Sequence, residues 1–237
     1  MRQFDVFVSP SKETEPPFTD KDLGWFFCEN INEFLEQSEA EWVIFSTPEI
    51  NINREFLNSL AECIAGFPMV DAFAPRIRTV DGEFYNGLKL DKKMGFSEIA
   101  NDADLRFVAA PHFSIAAFSR RIIQRTGHLD NTLPKELRLA DFSLRMLHAG
   151  GKMFHVPYLV TSANASIDSA DTICKDLKAT AKVLYKSLGI VHATKFAVHH
   201  PTVLPTLAIL DKELKYKRDK ATDLSKLKQN VLQEISK

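Results

Sequence analysis

Apolar residues near the amino terminus fall into short runs. Phe4 to Val8 and Gly24 to Cys28 have the length and the aromatic and β-branched content of buried strands. Ser9-Pro10 ends the first run, and the polar, proline-bearing stretch 10 to 22 reads as a loop. Asn30 with Glu33 three residues on has capping-box spacing, which predicts a helix to about Ser38. A strand over Glu41 to Phe45 follows, then a small polar turn. A helix from about Arg54 to Ala65 would carry Phe56, Leu57, Leu60 and Ile64 on one face.

The pattern then changes. "DAFAPRIRTVDGEFYNGLKL" reads as two strands around Asp81-Gly82, a dipeptide that favours a tight hairpin turn. Residues 105 to 119 alternate apolar and small positions up to Arg120-Arg121, where a helix starts that Gly127 stops. Pro134 to Ala149 predicts a further helix closed by Gly150-Gly151, and Met153 to Val160 a core strand. Strands alternating with helices, then a hairpin and mixed elements, imply an α/β sheet with an antiparallel addition over residues 1–166. Residues 167–237 read as a helical extension: Ala170 to Leu188, a connector rich in His and Pro, then a lysine-rich helix from about Thr206 to Ile235.

Composition narrows the class. A chain of 237 residues, 45% hydrophobic and 26% charged, has the makings of a globular domain with a sizeable core. Eighteen phenylalanines against four tyrosines put the aromatic mass inside rather than on a base-stacking surface. With a formal net charge of -1, no nucleic-acid partner is expected. Cys28, Cys63 and Cys174 show no metal or disulfide spacing, which fits a reducing compartment. The amino terminus lacks a signal-peptide pattern and no apolar run is long enough to cross a bilayer, so a cytoplasmic location is expected.

Two stretches hold candidate chemistry. Glu49 follows the strand ending at Phe45, and ligands of open α/β sheets bind beyond the carboxyl ends of strands. A carboxylate there suits Mg²⁺ or Mn²⁺ beside a diphosphate. The plainer alternative is a turn in which Glu49 or Asn53 favours the start of the next helix. Asp141 and Arg145, four apart on one helix, suit an ion pair, or Asp141 suits a general base if it faces a cleft.

The stretches taken in order resemble the family-2-like inverting glycosyltransferases of the GT-A fold. Thr47-Pro48-Glu49 in "WVIFSTPEININREFLNSL" stands in for their Asn-Pro-Asp, and "PRIRTVDGEF" is similar to their central hairpin. "FSIAAFSRRIIQRTGHLDNTL" resembles their run of small residues, Arg and Gly-Gly-Phe-Asp-Glu, with Arg120 or Arg121, Gly127 and Asp130 in the matching places. "DFSLRMLHAGGKMFHVP" is similar to their acid-x-x-Leu/Phe-Arg, Ala-Gly and Val-Pro pattern, through Asp141, Arg145, Gly150, Val156 and Pro157. The resemblance covers roughly residues 28 to 160.

What it implies is a GT-A-like mixed sheet flanked by helices. The activity implied is transfer of a sugar from a nucleotide-sugar donor to a hydroxyl of a glycan or lipid-linked acceptor, inverting and metal-assisted. Asp141 would be the base, Glu49 would hold Mn²⁺ or Mg²⁺ with Thr47 on the donor side, and His112 and Asp130 would lie on the acceptor side. Apart from the resemblance, Ser9 or Ser11 is a candidate for the nucleotide, and Arg76 and Arg78, alternating on a strand, can point to one face and meet phosphate. The chain departs from the pattern in its lone acid at Glu49, in Leu139 and Ala140 where a paired acid is common, and in "PYLVTSANAS". That last stretch lacks the family's metal-binding His and offers Ser162 and Asn164 as the nearest polar residues. These departures leave open a non-catalytic binding or scaffolding protein that keeps the fold. The basic terminal helix packs on its own domain or a sister chain, or meets an anionic membrane surface from the cytoplasmic side.

Overall fold

The structure is a computed structural model that describes residues 2–9, 15–28, 30–99, 104–169 and 174–208. Ser11, the start of the helix expected from Ala170, and the lysine-rich helix from residue 209 on lie outside the described residues. Strands β1 (Phe4–Val8), β2 (Leu23–Phe27) and β3 (Trp42–Ser46) pair in parallel with β1 in the middle. All of β1 is buried because it has a strand on either side and helices over both faces. Its side chains therefore alternate between two cores, Phe4, Val6 and Val8 entering one and Phe7 the other.

Beyond β3 the sheet becomes mixed. β10 (Ile115–Ser119) runs antiparallel between β3 and β5 (Ala72–Arg78). β11 (Met153–Ala163) lies parallel to β5, and the short strands β4 (Ile50–Asn51) and β9 (Arg106–Phe107) pair antiparallel with β11. The sheet order is β2-β1-β3-β10-β5-β11-β4. β6 (Phe84–Tyr85) joins β5 through the expected Asp81-Gly82 turn, where Gly82 takes the left-handed φ of +85° that a side chain disfavours. β7 (Leu88–Leu90) and β8 (Phe96–Glu98) form a separate hairpin.

Helix α2 (Arg54–Gly66) covers one face with Phe56, Leu57, Leu60 and Cys63 against Trp42, Ile44 and Phe73. The other face carries α1 (Ile31–Gln37), α3 (Arg120–Thr126), α4 (Lys135–His148), α5 (Leu177–Leu188), α6 (Ile190–His199) and the short α7 (Leu204–Ala208). The helix starts are set by side-chain caps. Asn30 accepts from the N–H groups of Asn32 and Glu33, Asn53 from Phe56 at 2.9 Å, and Ser119 from Ile122. Phe118 of β10 meets Phe142 of α4 edge to face at 5.0 Å, and the same core takes in Val183, Leu184 and Tyr185 of α5 and Phe196 of α6. It runs without a break across residue 166. No described helix is long and apolar enough to cross a membrane.

Candidate functional site

β1 and β3 end side by side, and the Ser9 N–H donates to the Ser46 carbonyl at 3.1 Å. Past that point the structure opens into a cleft of about 330 Å³. Phe7, Ile31, Phe45 and Leu139 form its apolar floor. The polar residues come from four places: Ser9, Ser46, Thr47 and Glu49 at the ends of β1 and β3, Ser114 just before β10, Ser166 and Asp168 beyond β11, and Lys135 and Arg138 in the first turns of α4. A cleft of this size beyond the carboxyl ends of parallel strands is where a small ligand binds in an open α/β sheet.

The turn holding Glu49 is clamped by its backbone. The Thr47 N–H donates to the Ser114 carbonyl at 2.9 Å, and the Ile50 N–H to the Thr47 carbonyl at 3.1 Å, closing a turn with Pro48 at its second position. The Glu49 carbonyl accepts from the Asn164 N–H at 2.8 Å. Capping of α2 falls to Asn53, so the Glu49 carboxylate has no part in starting that helix. Glu49 is half-buried at the cleft. The Thr47 hydroxyl is buried with no hydrogen-bond partner among the described residues.

Three of the residues predicted from sequence, Ser9, Thr47 and Glu49, thus meet in one cleft. The others do not line it. Asp141 is fully buried. Its carboxylate accepts from Arg145 Nε at 2.9 Å, Lys186 Nζ at 2.8 Å and Ser187 Oγ at 3.3 Å, and the described α4 residues that line the cleft are Lys135, Arg138 and Leu139. Asp130 shares Lys186 Nζ at 2.8 Å and accepts from Thr132. Burial alone would raise its pKa, but the bonds from Lys186 and Thr132 and the ammonium charge hold it below the ordinary carboxylate value.

His112 is buried immediately before the cleft residues Phe113 and Ser114, with its ring stacked on Tyr85 at 5.1 Å. Its Nδ1 accepts the Ser114 N–H at 3.3 Å. Burial lowers its pKa to about 4, with a smaller opposite pull from the Asp168 backbone. Arg76 lays its guanidinium over the Phe84 ring, 3.9 Å from the centroid, away from the cleft lining.

The residues missed from sequence are Asp168, Ser166, Lys135 and Arg138. The sequence points to Ser162, which lies within β11, and Asn164, which follows it directly, yet Ser166 and Asp168 further on are the residues that reach the cleft. The only sequence signal was an acid shortly after the last core strand, and linear spacing does not say where an irregular segment folds back. Arg138 donates through Nε to the Leu133 carbonyl at 3.0 Å and through Nη2 to the Asn131 carbonyl at 3.1 Å, which fixes the loop ahead of α4.

A divalent cation would find hard oxygen donors here: the Glu49 carboxylate, the partnerless Thr47 hydroxyl and the Asp168 carboxylate. Among the described residues no group of three or more His, Cys, Asp and Glu side chains could enclose a metal. The donor set therefore fits a cation that takes its remaining oxygens from a diphosphate and water, as Mg²⁺ commonly does.

No family model matches the sequence, and no curated protein matches it. Solved structures do share its architecture. The crystal structure of GalNAc-T7 with UDP, GalNAc and Mn²⁺ superposes with a TM-score of 0.60 at 13% identity, covering 93% of this chain and 54% of that one. The chain thus spans about half the length of that structure. S. aureus TarS 1-349 in complex with UDP-GlcNAc aligns with a TM-score of 0.47 at 12% identity, over 92% of this chain and 79% of that one. The mannosyltransferase PcManGT from Pyrobaculum calidifontis, in complex with GDP-Man and Mn²⁺, aligns with a TM-score of 0.45 at 13% identity, over 94% and 74%. The chain has a GT-A-like fold.

Proposed function

We propose that this protein binds a nucleotide-sugar in the cleft beyond β1 and β3 and transfers the sugar to a hydroxyl of a glycan or lipid-linked acceptor, in the assembly of a polysaccharide on the cytoplasmic side of a membrane. The observation that carries the reading is the meeting of Ser9, Thr47, Glu49 and Asp168 in one cleft at the strand ends of a GT-A-like fold. Glu49 and Thr47 would hold Mn²⁺ or Mg²⁺, which when bound would supply charge neutralisation for the departing diphosphate. Lys135 and Arg138 add positive charge from α4 on the same cleft.

The acceptor oxygen attacks the anomeric carbon as its bond to the diphosphate breaks, and one such displacement inverts that carbon. The acceptor's proton needs a carboxylate within hydrogen-bond reach. Asp141 is enclosed by Arg145, Lys186 and Ser187, so the proton goes to Asp168, the exposed acid of the cleft. Asp141 takes a structural role.

A second reading has one observation in its favour: among the described side chains, α4 turns no acid toward the cleft. On that reading the fold binds a nucleotide-sugar without turning it over. Titration calorimetry with UDP, GDP and their sugars, with and without Mn²⁺, followed by an assay for released nucleoside diphosphate, separates the two. Metal-dependent binding with release supports transfer, binding without release on addition of any acceptor supports the second reading, and no binding by the folded protein overturns both.

A further inference from the structure

The segment that forms helices α5 to α7 is unusual in its charge. The chain has 31 acids in 237 residues, yet from Leu177 to Leu210 there is none, while Lys178, Lys182, Lys186 and Lys195 fall in the same stretch. Lys186 is consumed inside by Asp130 and Asp141, but Lys178 and Lys182, one turn apart, are the exposed positions of α5. α6 buries an apolar face and turns a mixed one outward, where Thr194, Lys195 and His199 are exposed beside its valines. Its inner face buries Ala193, Phe196 and Ala197, and its outer face leaves Val191 74% and Val198 66% exposed, with Ile190 at its start and Leu204 just beyond also exposed.

Two valines this exposed on one helix face, set among polar and basic side chains, make an amphipathic surface of the kind that lies at an interface. Lys195 lies on that outer face between Val191 and Val198. Aliphatic side chains interspersed with lysines and free of acids complement a surface that is apolar beneath and anionic at its boundary. An RNA or DNA strand would instead call for exposed aromatic rings to stack its bases, and the exposed large apolar residues of α6 and α7 are aliphatic. The geometry points to an anionic lipid bilayer as the occupant of this face, with Val191, Val198 and Leu204 entering the headgroup boundary and Lys178, Lys182 and Lys195 meeting lipid phosphates. This contact involves the described helices α5 to α7 and does not depend on the sugar-transfer reading.

Flotation of the full chain with phosphatidylcholine vesicles, with and without phosphatidylglycerol, tests it. The wild type is expected to float with the anionic vesicles only, and less as salt is raised. Val191→Ser combined with Val198→Ser should weaken that binding about tenfold, from the lost apolar transfer. Lys178→Glu with Lys182→Glu should weaken it at least as much. All four positions are exposed, so both variants should keep the wild-type fold by circular dichroism. Absence of binding to anionic vesicles overturns the inference. So does binding untouched by the valine pair, which would assign it to the lysines beyond residue 208, and so does a dimer in light scattering that the valine pair dissociates while vesicles are ignored.

Discussion

Glu49 and Asp168 reach the cleft from chain positions far apart, and their two roles can be separated by isosteric removal of charge. Glu49→Gln is expected to lose the metal-dependent part of donor binding, about tenfold or more in Kd, because an amide oxygen is a weaker ligand for a hard cation. Asp168→Asn should keep donor binding and lose turnover by about a hundredfold or more, the range of a missing general base. If calorimetry finds donor affinity falling equally in both, Asp168 belongs on the cation.

His112 makes a second prediction at this scale. The unfolded chain protonates this group near 6.5, whereas burial holds the folded value to about 4. Between those values the unfolded state binds a proton that the folded state refuses. The contribution to stability is therefore whole above about pH 6.5 and lost progressively down to about pH 4, some 3 kcal/mol in all. Urea unfolding across that window should show this slope in the wild type and a flatter one in His112→Phe, which keeps a ring against Tyr85.

Between elements, the ion network around Lys186 joins α4, α5 and the loop ahead of α4. Lys186 Nζ lies 2.8 Å from both Asp130 and Asp141, and all three side chains are at most 10% exposed. Lys186→Met would strand two carboxylates out of water, and Asp141→Asn would strand part of the ammonium's partnership. Each is expected to destabilise the fold by about 3–5 kcal/mol. Arg54→Ala, which breaks the exposed pair with Asp20, should change stability by less than about 1 kcal/mol. Denaturant midpoints of the three variants test the ranking, and equal small effects would mean that the buried network contributes little. The pairing of Asp141 with Arg145 was legible because four residues is one helical turn. Its link to Lys186, 45 residues on, was not.

At the scale of the molecule, the core on the α4 face is shared between the sheet and the helices after residue 166. Phe196 of α6 and Phe118 of β10 belong to one buried cluster. Phe196→Ala is expected to cost about 3–5 kcal/mol. It should shift the unfolding seen by tryptophan fluorescence, from Trp25 and Trp42 in the sheet, together with that seen by far-ultraviolet circular dichroism. Separated transitions would mean that the helices fold apart from the sheet, as a division at residue 166 would have them do.

Local order was written in the chain. Apolar runs placed β1 and β3, because a strand buried on both faces must be apolar at nearly every position, and also marked β2 and β11, which are buried less completely. Asn30, Gly127 and Gly150 marked helix ends, and Asn53 was one of two candidates for the start of α2, because capping is settled within a few residues. The motif order also carried the GT-A-like fold, and the strand-end position of Glu49 its place in a cleft. What tertiary structure alone decided was which groups share a space. Asp168 arrives over the cleft because the chain after β11 folds back, and Asp141 is withdrawn from it because a lysine on a later helix reaches in to neutralise it. Both depend on contacts across tens of residues, and the periodicities that specify strands and helices carry no record of distances that long.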